Sequence, residues 1–235
     1  MLFRRRHVWL PTLWGWLLLF AGAALIAWVL GRNLYSLLAI SEPARGPAGD
    51  GARTLVIEGW LDPGELAQAV AVLRGGHYER VLTTGGPIDA WSDAGGWHSF
   101  AQRAAATLRE RGVTDLPVIA IVTPLSAQSR TFLSAVMVRD WARQSGVRLD
   151  AIDVFTGGVH ARRSRLLYRL ALGDEVEVGV VAAHPMDHDG PRWWTSSLGA
   201  KNTVNEALSV VWTSCCFWPG PPGSHDERWA VPAKP

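Results

Sequence analysis

The sequence predicts an α/β protein in which a five-stranded, mostly parallel, doubly wound (Rossmann-like) sheet follows one transmembrane helix. Three observations predict this fold. Short apolar runs alternate with helical patterns from residue 54 onward, and the connections between them are mostly short. This alternation is typical of a parallel sheet with helices on both faces. Residues 8–30 carry no charge and are almost wholly apolar, which is long enough for a helix to cross about 30 Å of hydrocarbon.

The first 40 residues are predicted to form a membrane anchor that starts with a basic cytoplasmic segment. Arg4, Arg5 and Arg6 precede the apolar stretch, and only Arg32 follows it closely. The positive-inside bias therefore places the N-terminus in the cytoplasm and the rest of the chain outside it. The stretch exceeds the roughly 7–15 apolar residues of a cleavable signal peptide, which favours a retained anchor.

The remaining chain divides by composition into three parts. Residues 41–53 are rich in Pro, Gly and Ala without periodicity, which indicates a linker. Residues 54–214 form the predicted soluble domain, whose size is ample for one core. Residues 215–235 are rich in Pro and Gly, a composition typical of a disordered tail.

The strands of this domain are predicted from apolar runs at residues 54–57, 80–84, 116–122, 151–156 and 177–183. The third run is uncharged and β-branched, as a central strand of a parallel sheet should be. The first helix starts at Asp62, with Pro63 at its first position and Glu65 completing a capping box. Later helices are expected at about 97–111, from near 129, after 160, and at about 201–212.

Charge and cysteine content restrict the partners of the protein. The net charge is +2 and the pI is about 8.8, and the N-terminal arginines account for part of this excess of positive charge. No basic stripe interleaved with aromatic residues is present, so no nucleic-acid partner is predicted. The only cysteines, Cys215 and Cys216, are adjacent. Their Cα atoms should lie about 3.8 Å apart, closer than in most disulfides, so we expect no bridge between them.

The polar residues that follow the strands predict an anion-binding site, because ligands of open α/β sheets bind beyond the carboxyl ends of the strands. Two of these strands end in a Thr-Gly-Gly element, at residues 84–86 and 156–158. Glycine-rich turns and helix starts expose N–H groups that favour phosphate or a similar anion. The expected ligand-binding residues are Thr84, Gly85, Gly86, Ser129, Arg130, Thr131, Gly157, Gly158, Arg163 and Trp193. Trp193 would stack on a sugar, lie on the membrane surface or form part of a packed lid.

The stretch from residue 154 to 165 adds a basic helix start to this site. His160 and Arg163 share one face of the first helical turn, where cations oppose the helix dipole unless an anion is bound. The alternative is a solvated basic surface with glycines that only shape a turn. Glu58 ends the first predicted strand, and apolar surroundings there would raise its pKa. Glu58 and His160 are thus the candidate acid and base, although a carboxylate at this position can also be a capping group.

Several common sites are excluded by their motifs. The first strand lacks the glycine spacing of a dinucleotide site, and neither a Gly-x-Ser-x-Gly elbow nor a Walker lysine loop is present. Residues 184–189 contain two histidines and two aspartates without the spacing of a known metal centre. A surface loop is favoured there, no metal site is predicted, and the cofactor stays unknown.

Five segments have patterns that are typical of a known family. Residues 56–59 are a strand that ends in glycine, residues 84–86 are Thr-Gly-Gly, and residues 126–131 are a polar run that leads into a helix. Residues 158–163 contain His-x-x-Arg, and residues 192–197 are followed by Lys201 and Glu206. On these segments residues 54–212 resemble the DUF218 family of bacterial domains, which includes the ElyC, SanA and YdcF proteins. The Glu-x-x-Ser element of that family is here Pro124-Leu-Ser126, without the acid.

This resemblance implies a Rossmann-like domain, often on a single membrane anchor, associated with the cell envelope and with peptidoglycan or lipid-carrier homeostasis. It implies no particular reaction. The first hypothesis is an envelope protein of the bacterial inner membrane that binds, or processes, an anionic or phosphorylated precursor such as a lipid-linked sugar. The second is a non-catalytic accessory or sensor protein. The third, weaker hypothesis is a metal-dependent phosphoesterase built on residues 184–189.

Overall fold

The computed structural model of the chain describes residues 11–47, 49–88, 96–126 and 129–228. Its elements in chain order are α1 (Leu13–Leu38), β1 (Thr54–Glu58), α2 (Pro63–Gly75), β2 (Arg80–Gly85), α3 (Phe100–Glu110), β3 (Val118–Val122), α4 (Arg130–Ser145), β4 (Ala151–Gly157), α5 (Ala161–Leu172), β5 (Glu177–Ala183), α6 (Ser197–Cys216) and α7 (His225–Arg228). The five strands are all parallel, in the order β3-β2-β1-β4-β5. The predicted α/β fold is confirmed.

Helices cover both faces of the sheet, and alternate residues of each strand face opposite cores. In β1, Leu55 and Ile57 join the core formed with α2 and α3. Val56, between them, joins the core formed with α4 and α5. All three are fully buried, and burial of such a side chain contributes about 1.5–3 kcal/mol. The strand order reverses between β1 and β4, which places the expected crevice at their carboxyl ends.

Local sequence signals explain most element boundaries. The capping box of α2 is present, with Asp62 Oδ1 accepting from the Glu65 N–H at 2.8 Å and Glu65 Oε2 accepting from the Asp62 N–H at 3.2 Å. β3 starts at Val118 rather than at residue 116, because Pro117 has no N–H to donate. α6 starts four residues before the predicted position, where the Ser196 hydroxyl caps the Gly199 N–H at 3.0 Å.

α1 is long and apolar enough to cross a membrane, by length and composition. Its side chains up to residue 30 are almost all exposed, whereas Tyr35 and Leu38 near its end are buried against the domain. Residues 1–10, which include the N-terminal arginines and the start of the predicted span, lie outside the described residues.

The predicted linker is attached to the edge of the sheet. Glu42 pairs with Val180 of β5 through two backbone hydrogen bonds of 2.8 and 3.0 Å. The Ala44 N–H donates to the buried Asp153 carboxylate at 2.7 Å. A Cβ at position 179 would overlap Ala44, so the segment passes where only glycine leaves room. Residues 41–46 therefore belong structurally to the domain.

Part of the predicted tail also packs on the domain. Phe217 stacks edge-on against Phe132 of α4, with ring centroids 5.1 Å apart. Glu227 is only 3% exposed and accepts a hydrogen bond from Arg139 at 2.6 Å. Composition did not predict these contacts, since each needs a partner that is remote in sequence. Residues 229–235 lie outside the described residues.

The expectation that the two cysteines do not bridge each other is wrong in this structure. Cys215 and Cys216, at the end of α6, form a disulfide between adjacent residues. Their Cα atoms are 3.8 Å apart, and rotation about the side-chain bonds brings the two sulfur atoms together.

Candidate functional site

The predicted site residues gather around a cavity of about 740 Å³ at the carboxyl ends of β1 and β2 and the start of α4, which we call the main cavity. Nine of the twelve predicted site residues line it: Glu58, Thr84, Gly85, Gly86, Ser129, Arg130, Thr131, His160 and Arg163. This lining refers to the described residues, which do not include 89–95 and 127–128.

Glu58 is buried beside the main cavity and is held by three donors. Its Oε2 accepts from the Trp60 Nε1–H at 3.1 Å and from the Thr156 hydroxyl, and its Oε1 accepts from the Ser164 hydroxyl at 3.0 Å. The expected apolar surroundings are therefore wrong, because the neighbouring helix α5 supplies Ser164 and β4 supplies Thr156. A carboxylate has about four acceptor positions, which leaves one on Oε1 for a ligand.

A buried phenol lies close to this carboxylate. Tyr168 of α5 is fully buried, and its hydroxyl lies 3.4 Å from Thr84 Oγ1. Burial, together with the negative charge of Glu58, raises the pKa of Tyr168 well above its ordinary value. Tyr168 therefore stays protonated at neutral pH and supplies a neutral hydroxyl behind Thr84.

His160 and Arg163 do meet on one face of α5, but a carboxylate from α6 already binds them. Arg163 donates to both oxygens of Glu206, at 2.8 and 3.0 Å. His160 Nδ1 lies 2.9 Å from Arg163 Nη2 and 3.2 Å from Glu206 Oε1. Burial alone would raise the pKa of Glu206, but the hydrogen bonds from His160 and Arg163 outweigh it and lower that pKa to about 2.

This arrangement changes the role that the sequence suggested for Arg163. The bidentate ion pair with Glu206 neutralises the charge of the Arg163 guanidinium. The positive charge at this helix start is therefore balanced without a bound anion. Its structural effect is to fix the His160 ring, whose other face meets Trp60 edge-on at a centroid distance of 4.8 Å. Arg163 is thus a positioning group for His160, while its side chain still lines the main cavity.

The start of α4 contributes to the main cavity the features that would suit an anion. Ser129 adopts a left-handed conformation, with φ of 54°, and its side chain does not cap the helix. The first N–H groups of α4 therefore lack a side-chain acceptor at their N-cap. Arg130 is exposed, lines the cavity and has no hydrogen-bond or ion-pair partner within the described part of the chain. An anion bound here would meet both the helix dipole and this guanidinium.

The first Thr-Gly-Gly element provides close backbone approach rather than side-chain contacts. Gly85 has a φ of 155°, and a Cβ there would meet Phe100 Cβ at 2.7 Å. The Gly59 N–H donates to the Thr84 carbonyl at 2.7 Å, in a space that a Cβ would fill. These glycines hold β1, β2 and the start of α3 close together under the main cavity.

The second Thr-Gly-Gly element lies at a neighbouring cavity of about 310 Å³, which we call the anchor-side cavity. Gly157 and Gly158 line it, together with the buried side chains of Glu65 in α2 and Tyr35 in α1. Burial raises the pKa of Glu65, although its hydrogen bond from the Asp62 backbone opposes this. Trp60 and His160 line both cavities and separate them.

Trp193 lies outside both cavities. Its Nε1–H donates to the Gly31 carbonyl of α1 at 3.1 Å, and its ring packs in the cluster around Tyr35 and Leu38. The sequence suggested sugar stacking, contact with the membrane surface or a packed lid, and in the structure the Trp193 ring packs against the end of α1. This geometry gives no support to stacking on a bound sugar.

The loop at residues 184–189 uses its charged groups locally. His188 Nδ1 lies 2.6 Å from Asp187 Oδ1, and Asp189 pairs with Arg192 at 2.7 Å. Within the residues that the structure describes, no group of three or more His, Cys, Asp or Glu side chains is arranged to hold a metal ion. The geometry gives the metal-dependent alternative no support.

Sequence reasoning missed two groups that hold Glu58 and Thr84, namely Ser164 and Tyr168. Both lie on the inward face of α5, four residues apart. A hydroxyl at two buried positions of a helix is a signal that could have been used, because buried polar groups need partners. Glu206 gave no comparable signal of its contact with Arg163, which is 43 residues away.

No family model matches the chain, and no curated protein matches it either.

Proposed function

We propose that this chain is a single-pass protein of the bacterial inner membrane whose domain binds an anionic, phosphorylated envelope precursor, such as a lipid-linked sugar, in the main cavity. The observation that carries the proposal is the start of α4. The side chain of Ser129 does not cap this helix start. Arg130, which has no hydrogen-bond or ion-pair partner among the described residues, lines the main cavity together with Thr84 and Thr131. Helix N–H groups and a guanidinium are the donors that bind phosphate in proteins.

The proposed membrane orientation rests on the sequence and on α1. The basic residues before the apolar stretch favour a cytoplasmic N-terminus, which would place both cavities outside the cytoplasm. A phosphorylated precursor embedded in the outer leaflet would then lie close to the domain. The resemblance of residues 54–212 to the DUF218 family also supports an envelope role.

The candidate chemistry is acid–base catalysis at a bound phosphorylated group. Glu58 offers one free acceptor position, and His160 is held in a fixed orientation by Arg163 and Glu206. A group in a fixed orientation beside the substrate is what general acid–base catalysis requires.

A second candidate function is a non-catalytic accessory or sensor protein that binds the same ligand. One observation favours it: Glu58 and His160 both have hydrogen-bond partners within the fold, so each has a structural role that needs no reaction. In that case ligand binding would alter the domain or its contact with a partner, and no product would form.

The test is a thermal-unfolding screen of the full chain in detergent against phosphate, sugar nucleotides and polyprenyl phosphate analogues. A ligand at about 100 times its dissociation constant should stabilise the fold by about 2.7 kcal/mol. Arg130→Gln should abolish this stabilisation. Arg143→Gln, at the other end of α4, is the matched control and should preserve it. Equal stabilisation of both variants, or no stabilisation of the wild type by any of these anions, would refute the proposed site.

A second measurement separates the two candidate functions. Glu58→Gln preserves the shape and most hydrogen bonds of the side chain but removes its basicity. If the protein is an enzyme, this variant should bind the ligand identified in the screen and fail to convert it. If the wild type binds that ligand without any conversion, the accessory function is favoured.

A further inference from the structure

One side of α6 presents an exposed apolar surface, which we call the α6 stripe: Val204, Leu208, Val211 and Trp212. Their spacing of four, three and one residues places them on one face of the helix. Their exposed fractions range from 44% for Val204 to 65% for Leu208. Contiguous exposed apolar residues of this kind mark interaction surfaces.

The charge of α6 fits an anionic surface. The helix contains two charged residues, Lys201 and Glu206. Glu206 is 7% exposed and paired with Arg163, so it does not contribute to the outer face. Lys201 is exposed and lies three residues before Val204, on the same side as the α6 stripe. The outer face of α6 thus combines apolar side chains with a single positive charge.

The α6 stripe borders the contact between α6 and the anchor. Ala207 packs in the cluster formed with Tyr35 and Leu38 of α1. Val204 and Val211 lie three and four residues from Ala207 and are therefore its neighbours on the helix surface. The α6 stripe therefore lies beside the end of α1 that follows its exposed apolar part, which extends up to residue 30.

The polar contacts of α1 indicate where the membrane surface falls. Arg32 lies over the rings of Trp28 and Trp194, at 5.4 and 5.7 Å. Tryptophan and arginine at this point are typical of the membrane–water boundary. Residues 13–30 span about 27 Å as a helix, close to the thickness of a hydrocarbon core. Trp194 also lies just before the start of α6, which places the start of that helix near the boundary.

We propose that the α6 stripe lies on the surface of the same bilayer that holds α1, with Lys201 facing anionic lipid headgroups. This contact would orient the domain by two elements, the anchor and α6, instead of by the anchor alone. The proposal goes beyond ligand binding, since it does not depend on what the main cavity holds.

The test uses spin labels on the full chain in vesicles of phosphatidylethanolamine and phosphatidylglycerol. Cys215→Ser and Cys216→Ser remove the native cysteines. Single cysteines are then introduced by Val211→Cys in the α6 stripe, Leu25→Cys in α1 and Gln144→Cys on the exposed side of α4. The measurement compares relaxation by oxygen, which concentrates in lipid, with relaxation by a water-soluble nickel chelate. The Val211 label should be severalfold less accessible to nickel than the Gln144 label, and readily accessible to oxygen.

Three results would overturn the proposal, and each indicates a different alternative. A Val211 label as accessible to nickel as the Gln144 label would show an α6 stripe in water, while a lipid-exposed Leu25 label would still confirm the anchor. A Val211 label shielded from both reagents, with broadening between labelled chains, would show that a second copy covers the stripe. A Leu25 label in water would remove the anchor and this contact together.

Discussion

The contact of Glu206 with His160 and Arg163 predicts that the charge of Glu206 stabilises the fold at neutral pH. The side chain of Glu206 in α6 is 10% exposed. It accepts two hydrogen bonds from Arg163 of α5, at 2.8 and 3.0 Å, and lies 3.2 Å from Nδ1 of His160, the residue just before α5. Glu206→Gln preserves the size of the side chain and removes its charge. We expect this variant to be less stable than the wild type at neutral pH and to lose its disadvantage as the pH falls.

The magnitude follows from the pKa of Glu206. Its ordinary value is 4.5, and the folded protein lowers it to about 2. This difference corresponds to about 3 kcal/mol, at roughly 1.4 kcal/mol for each pH unit. A carboxyl with a lowered folded pKa binds more protons in the unfolded chain, so its contribution is complete above pH 4.5 and is lost as the pH falls toward 2. At pH 3 less than half of the roughly 3 kcal/mol should remain.

The assay is chemical unfolding of the full chain in detergent at several pH values from 7 to 3. The difference in unfolding free energy between wild type and Glu206→Gln should stay nearly constant from pH 7 to about pH 5 and shrink from there to pH 3. Glu110→Gln, an exposed carboxyl at the end of α3, controls for loss of one negative charge and should follow the wild-type pH dependence. A constant difference between wild type and Glu206→Gln at all pH values would refute the assigned contact.

Two further predictions concern the attachment of the terminal segments. A Cβ at Gly190 would overlap the ring of Tyr35, so Gly190→Ala should destabilise the docked end of α1 by about 1–3 kcal/mol. Hydrogen exchange of the α1 amides measures this loss. The control is Gly75→Ala, which should cause no such loss because a Cβ there meets nothing. Glu227→Ala should lower the unfolding free energy by about 3 kcal/mol, because it leaves the buried Arg139 with Asp140 as its remaining carboxylate partner. If the Glu227→Ala variant unfolds at the same denaturant concentration as the wild type, residues 217–228 do not stabilise α4.

Much of the fold was predictable because its signals are local. The five strands were recognised from apolar runs whose alternate residues enter two cores, and the start of α2 from a capping box within four residues. The position of β5 was predicted to the residue, since an apolar run follows Glu177 and ends before His184-Pro185. The strand order depends on which strands pair, and no local signal carries that information.

The site was predictable to the extent that topology places strand ends together. Nine predicted residues line one cavity because the carboxyl ends of parallel strands share one edge of the sheet. Their partners were not predictable, because Glu206 reaches Arg163 from a different helix and Trp193 meets α1 across 162 positions of sequence. The sequence therefore brought the predicted residues to one cavity, whereas the pairing of Arg163 with Glu206, which leaves Arg130 as the predicted arginine without a partner among the described residues, could not be read from it.

The segment after the anchor must be counted as part of the domain, and this follows from the chemistry of one buried carboxylate. Asp153 is 2% exposed and accepts from the Ala44 N–H at 2.7 Å and from the Tyr78 hydroxyl at 2.8 Å. Burial raises its pKa, and these two hydrogen bonds oppose that effect. A fragment that starts at residue 54 would lose Ala44 and leave a buried acceptor unpaired, at a cost of about 1–3 kcal/mol.

The same truncation would also free the backbone groups of Val180 that now pair with Glu42, and an unpaired sheet edge promotes aggregation. Tyr35, which forms one wall of the anchor-side cavity, would be lost with them. The domain is thus completed by the residues that connect it to α1, and its cavities keep a fixed position relative to the end of the anchor. A ligand held in the bilayer would therefore approach the main cavity from a direction set by this attachment, not by the motion of a flexible linker.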